Sequence, residues 1–289
     1  ICFMNTNIML KKLSKRFPKK YAKMFHDRVG LMNGKLPNEV HKILLCLDCD
    51  EKIFPTIEKE KPDLVLTHHP FIFGTRAKVL RYDPYKKELC DKLDALGIPV
   101  YSMHTNFDVM GMADEAADIM DLSNPSVLMT TFEDAISKEG IGRVGMLPKR
   151  MTLKECAEHV KEVFHIDYVK VFGALNTKLD IAAICPGAGS DAIEDAINKG
   201  AQVLVTGDIS HHQGIDSVAR GLCIIDAGHY NLEKIFMDYM KDYINNEYKS
   251  IKVVKAKDEL IINYLVNAKI NEKNLIKKLL WILILSIIL

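Results

Sequence analysis

Missing from this 289-residue chain is a charge excess of either sign, since 39 Lys and Arg face 38 Asp and Glu. That balance excludes the basic field of a nucleic-acid binder and the acidic excess of a disordered chain, so no nucleic-acid partner is expected. A bilayer-spanning run of about 20 apolar residues is missing too. The apolar stretch Leu279–Leu289 is eleven residues long and follows Lys277 and Lys278. It reads as a buried or oligomer-packing helix, an interfacial anchor or a tail foreign to the core. We expect a soluble protein without membrane contact through it; a peripheral membrane protein is the reading that rests on this stretch alone. Seven cysteines, odd in number and thinly spread, exclude a disulfide framework and fit the reduced thiols of a cytoplasmic protein. Cys46-Leu47-Asp48-Cys49 has CxxC spacing inside an alternating run, which places one cysteine on each side of a sheet and argues against a redox pair. Neither a Walker loop nor a dinucleotide fingerprint is present. Pro186-Gly187-Ala188-Gly189-Ser190 reads as a tight strand-to-helix turn, with an anion cradle as its alternative.

What is present is an ordinary globular composition, 48% hydrophobic and 27% charged, in a chain long enough for one large domain or two. Strands and helices alternate. Strands are predicted over 41–48, 63–67, 98–103, 142–147, 168–172, 180–185, 202–206 and 222–226, and helices over 51–61, 84–96, 113–120, 214–219 and 231–246. Thr152 followed by Glu155 signals a helix start, and Ser190 caps another helix ending before Gly200. Continuously apolar strands between helices predict an α/β protein of two similar lobes with mainly parallel sheets. The expected boundaries are 1–126 for the first lobe, 127–265 for the second and 266–289 for an apolar tail. Ile1–Ile8 reads as an extension, with Met4 or Met9 as the natural start.

Two stretches spell nearly the same pattern. Residues 97–103 lead into His104-Thr105-Asn106-Phe107-Asp108, and residues 221–228 lead into His229-Tyr230-Asn231-Leu232-Glu233. Each apolar strand ends in His-x-Asn-x-carboxylate. The echo extends to Asp63–Thr67 and Gln202–Thr206, each followed within a few residues by a His-His pair, His68-His69 and His211-His212. Open α/β sheets bind ligands beyond the carboxyl ends of their strands, where these histidines fall.

If a helix begins near His229, the i, i+4 spacing puts His229 and Glu233 on one face. Imidazole and carboxylate together suit Zn, Fe, Mn, Co or Ni, and the sequence does not choose among them. The competing reading of each pair is a cap or an ion pair, and His68-His69 can equally be an exposed polar pair at a strand end. Five or six such ligands exceed the three protein ligands of a catalytic zinc. They fit two divalent ions bridged by a carboxylate, which can polarise a substrate oxygen and activate water. His212 or Asp208 reads as a general acid or base beside the ions, or as a group orienting a ligand.

At these residues the chain resembles the Nif-three-like proteins, also called GTP cyclohydrolase I type 2 homologues. The resemblance runs from about Leu10 to Leu265 through Thr67-His68-His69-Pro70, His104-Thr105-Asn106-Phe107-Asp108, Thr206-Gly207-Asp208-Ile209 with His212, and Asp226-Ala227-Gly228-His229-Tyr230 with Glu233. It implies a dinuclear site held by His68, His69, Asp108, His229 and Glu233, with Glu233 as the bridge and His104 lining the site. It also implies two α/β lobes with the site in the cleft between them, assembled into a toroidal homohexamer. The implied activity is metal-assisted hydrolysis of carbon–nitrogen bonds in GTP or another nucleotide-like or cyclic amide substrate, with His104 and His212 moving protons. His26-Asp27-Arg28 precedes Val29-Gly30-Leu31 where that family commonly carries Trp-Asp-Asn, so if those residues touch substrate, Arg28 sets this chain's substrate apart from the family's. A non-catalytic metal-binding or partner-binding protein is the alternative.

Overall fold

The computed structural model describes residues 4–23 and 25–257. Its strands are β1 (Met4–Asn5), β2 (Gly30–Asn33), β3 (Glu39–Val40), β4 (Lys42–Cys46), β5 (Leu64–Thr67), β6 (Val100–Ser102), β7 (Ser123–Glu133), β8 (Lys138–Thr152), β9 (Lys170–Phe172), β10 (Lys178–Ala188), β11 (Val203–Gly207), β12 (Cys223–Asp226) and β13 (Lys252–Lys255). They form one sheet in the order β13-β4-β5-β6-β2 and a second in the order β7-β8-β10-β11-β12-β9, beside a short β1-β3 ladder. The protein is α/β, and parallel strands occupy the centre of each sheet. In the first sheet β13, β4, β5 and β6 run parallel and β2 closes one edge antiparallel. In the second, β10, β11 and β12 run parallel, flanked by antiparallel β8 and β9.

The apolar central strands sit where both faces are covered. Every residue of β5, β11 and β12 is buried. Not every strand follows from an apolar run. β7 carries Ser, Thr, Asn and Pro125 and buries only Leu128, as an edge strand can, because its outer backbone groups face solvent. β8 runs well past the predicted 142–147 in both directions. β13 is polar at both ends and joins the first sheet from the far end of the chain.

The sheets therefore do not divide the chain at residue 126. That position lies inside β7, which belongs to the second sheet, while β13 returns to the first. One core runs between the sheets, including Leu45, Leu66 and Phe107 from one side and Ile184, Val205, Ile225 and Phe236 from the other. Smaller clusters cover the outer faces. Residues 4–8 are no loose extension: Met4 pairs with Val40, and a helix over Thr6–Arg16 buries Thr6 and Met9. Cys46 and Cys49 pack in the same cluster rather than on opposite faces, because β4 ends at Cys46. Burial holds both thiols protonated, which removes the redox reading. No helix among the described residues is long and apolar enough to cross a membrane. The predicted tail at 266–289, and the end of the second lobe at 265, lie outside the described residues.

Candidate metal centre

The carboxyl ends of the central strands meet across the core. β5 delivers His68 and His69, β6 delivers His104 and Asp108, β11 delivers Asp208, and β12 delivers His229 and Glu233. His229–Glu233 is a helical turn entered from Gly228, whose φ of 85° suits glycine. The first copy of the pattern folds differently. His104 precedes a short helical turn over Thr105–Phe107, and a wide π-helical turn over Asp108–Met112 follows and carries the Asp108 carboxylate inward.

Four imidazoles share one arrangement. The Nδ1 of His68 lies 2.9 Å from the carbonyl oxygen of Met103, that of His69 2.9 Å from Asp48 Oδ1, that of His104 2.7 Å from Asp27 Oδ2, and that of His229 2.8 Å from Asp208 Oδ2. Each partner can only accept, so each Nδ1 carries the proton. A neutral ring then presents its bare Nε2. Orienting oxygens of this kind are the usual companions of metal-binding histidines.

The Nε2 atoms converge on two carboxylates. His69 Nε2 and His229 Nε2 lie 2.8 and 2.9 Å from Glu233 Oε2, and 3.2 Å from each other. His68 Nε2 faces the other side of the same carboxylate, 3.6 Å from Glu233 Oε1 and 3.3 Å from Asp108 Oδ1. His68 is 0% exposed, and its Nε2 is a buried polar atom without a hydrogen-bond partner. A buried nitrogen that faces two carboxylates without a hydrogen bond is costly unless a cation stands among them. Three sets of ligand atoms lie close enough to hold an ion: His68, Asp108 and Glu233; His69, His229 and Glu233; and His68, His69 and His104. Gly187, at the end of β10, packs its bare Cα against this centre, where an added Cβ would lie 2.5 Å from Glu233 Oε1.

The electrostatics agree with that donor set. Burial disfavours charge on His69, but hydrogen bonds to Asp48 and Glu233 outweigh it and raise its pKa to about 10. His229 is raised to about 9 by Glu233 and Asp208, again against burial. His104 is raised against burial by Asp27 and Asp108. Burial pushes Asp108 up. Burial acts in the same sense on Glu233, yet His68, His229 and His69 hold it well below the usual carboxylate range. Without an ion, protons on histidine nitrogens neutralise the carboxylates. Divalent cations at the same nitrogens do so by displacing those protons.

The structure thus brings together His68, His69, His104, Asp108, His229 and Glu233. His212 is not among them. Ser210 and Gln213 form a capping box that starts the helix His211–Ala219 earlier than predicted. His212 is therefore exposed on its first turn, its ring 5.4 Å from that of His211. Asp208 contributes the orienting contact to His229. Asp48 and Asp27 serve the same purpose for His69 and His104, and spacing did not single them out, because each lies far from its histidine in sequence. Their visible signal is position alone, since Asp48 follows strand β4 at the carboxyl edge where the other site residues collect.

Known proteins share this architecture. A family model described as Duf34/NIF3 (NGG1p interacting factor 3) matches residues 4–259. A Clostridium acetobutylicum protein named GTP cyclohydrolase 1 type 2 homolog is 34% identical over 209 residues, covering 72% of this chain and 77% of its own. A Staphylococcus aureus hypothetical protein of solved structure superposes with a TM-score of 0.79 at 26% identity, covering 91% of this chain and 100% of its own. A Bacillus cereus protein related to NIF3 superposes with a TM-score of 0.81 at 21% identity, over 92% of this chain and 100% of its own.

Proposed function

The chain belongs to the Duf34/NIF3 family, and from that membership and the convergent Nε2 atoms we propose that it is a dinuclear-metal-dependent hydrolase acting on a carbon–nitrogen bond. GTP, which the relatives' name points to, and other nucleotide-like or cyclic amide substrates are its candidates. The observation that carries the reading is His68 Nε2, a buried nitrogen without a hydrogen-bond partner between Asp108 and Glu233. His68, Asp108 and Glu233 would hold one ion, and His69, His229 and Glu233 the other. Glu233 is common to both sets and would be shared between the ions. When bound, divalent ions supply Lewis-acid polarisation of a substrate oxygen and activation of water.

The remaining work falls to the protein's own groups. Asp27 accepts from His104 Nδ1 and from both the amide and the hydroxyl of Thr105, so the ring is held with its Nε2 toward the cluster. That nitrogen can take a proton from water and return it to a leaving nitrogen. Phe236 and Phe107 back the His68 ring at centroid distances of 5.2 and 6.1 Å and shield that side from solvent. His229 and His69 remain partly exposed, and a substrate would enter on their side.

Elemental analysis of protein purified without added metal is expected to give about two transition-metal ions per chain. Metal-loaded protein should convert one member of a panel of nucleotides and small cyclic amides, and Asp108→Ala should lower that turnover by at least about a hundredfold. Metal uptake without turnover across the panel would replace the hydrolase reading with metal binding alone. Absence of metal uptake would sink both. Assembly as a homohexamer and a cytoplasmic location go with the same proposal, and light scattering tests the first.

A further inference from the structure

We propose that Asp226 and Lys170 form a latch that positions Asp208 and, through it, the His229 imidazole for metal binding. The proposal rests on the reading of the cluster as a metal centre. Asp226 ends β12, and Lys170 stands directly opposite it on the edge strand β9. The nearly buried Asp226 carboxylate makes three contacts. Oδ2 accepts from Lys170 Nζ at 2.8 Å and from the Ile209 amide at 3.1 Å, and Oδ1 accepts from the Gly228 amide at 3.1 Å. Lys170 Nζ also donates to the Ile209 carbonyl at 2.7 Å. Both backbone polar groups of Ile209 are therefore held by one ion pair, while its side chain is buried in the outer core of the second sheet.

The consequence falls on the residue before. Asp208 has a φ of 58°, a left-handed conformation that an aspartate adopts at some cost unless its neighbours impose it. Its carboxylate is more than half exposed, so packing does not fix it, yet it meets His229 Nδ1 at 2.8 Å. The same Asp226 carboxylate holds Gly228, the residue before His229. One side chain thus fixes both the loop that offers the acceptor and the backbone that offers the ring. The two segments leave no slack at Gly207, where an added Cβ would lie 2.5 Å from the His229 amide nitrogen. An ion pair whose lysine is half exposed contributes little to stability. Its value here is geometric: it sets the direction in which His229 Nε2 points.

A double-mutant cycle on metal affinity tests this. The apparent dissociation constant of Zn2+ is measured by competition with a chromophoric chelator for the wild type, Lys170→Met, Asp208→Asn and the double variant. Lys170→Met is expected to weaken Zn2+ binding about tenfold, within the range seen when groups that orient a metal ligand are removed. Asp208→Asn should weaken it by at least as much. The double variant should bind no more weakly than Asp208→Asn, because Lys170 acts on the Ile209–Asp208 loop while the Gly228 contact belongs to Asp226, which both variants keep. Lys170→Arg should return affinity to within about threefold of the wild type, since the ion pair is kept. Wild-type affinity in Lys170→Met, or penalties that multiply in the double variant, would overturn the latch. A wild type that binds no Zn2+ would overturn the metal reading and the latch together. Thermal unfolding of the ion-free proteins checks that Lys170→Met is folded.

Discussion

The two His-x-Asn-x-carboxylate segments carry the same letters and do different work. In the second, His229 opens a regular helical turn and meets Glu233 four residues on, with 2.9 Å between Nε2 and Oε2. In the first, His104 stands outside the turn and the π-helical widening begins at Asp108, so the two side chains part. Asp108 goes to His68, and His104 goes to Asp27. A repeated motif places residues at equivalent strand ends; the turn that follows decides which of them share a ligand.

This contrast can be broken or sharpened by substitution. The largest effect is expected from Glu233→Ala, which removes the oxygen atoms facing both groups. Metal content should fall from about two ions per chain to well under one, and retained occupancy would refute the bridging role. Asp108→Ala strikes one group only, so about one ion should be lost by elemental analysis, with turnover reduced by at least about a hundredfold. His104→Ala is expected to keep both ions yet slow turnover by about a hundredfold, in the range of a lost acid–base group. If His104→Ala loses metal as His229→Ala does, the two segments are equivalent after all.

A pH series on ion-free protein gives a smaller effect. His69 and His229 have folded pKa values of about 10 and about 9, above their ordinary 6.5. Their contribution to stability is fully present below pH 6.5 and is lost as pH rises through 9 and 10. The melting temperature of ion-free protein should therefore drop by about 5 °C across that window. Metal-loaded protein, whose histidines are already deprotonated, should not follow it. The smallest effect is expected from His212→Ala, with metal content and turnover within about twofold of the wild type.

How much of this was legible in the sequence follows from what each residue's spacing can express. β5, β6, β11 and β12 were visible because burial on both faces leaves a continuous apolar run. The i, i+4 relation of His229 and Glu233 was visible because a regular turn has a fixed period. β7 and β13 were hidden, since an edge strand need not be apolar and the return of β13 is set by packing at long range. Asp27, Asp48 and Asp208 contact their histidines across 77, 21 and 21 positions. No spacing rule reaches that far. His212 looked like part of the echo because its letters match His69, but the capping box of Ser210 and Gln213 turns that segment into helix. The echo identified the strand ends that matter and Asp208 as an orienting group, whereas Asp27 and Asp48 came only from the folded geometry.

The continuous core beneath the cluster has a bearing on how the cleft works. Phe107 lies within the first segment and Phe236 just past the second, and their rings meet edge to face with centroids 5.0 Å apart. Walls joined by such a contact, and stitched again where β13 pairs with β4, do not swing apart like two jaws. The side on which His69 and His229 are partly exposed is then held by the same contacts. On the proposed reading, whatever reaches the cluster must fit a framework that does not open to admit it.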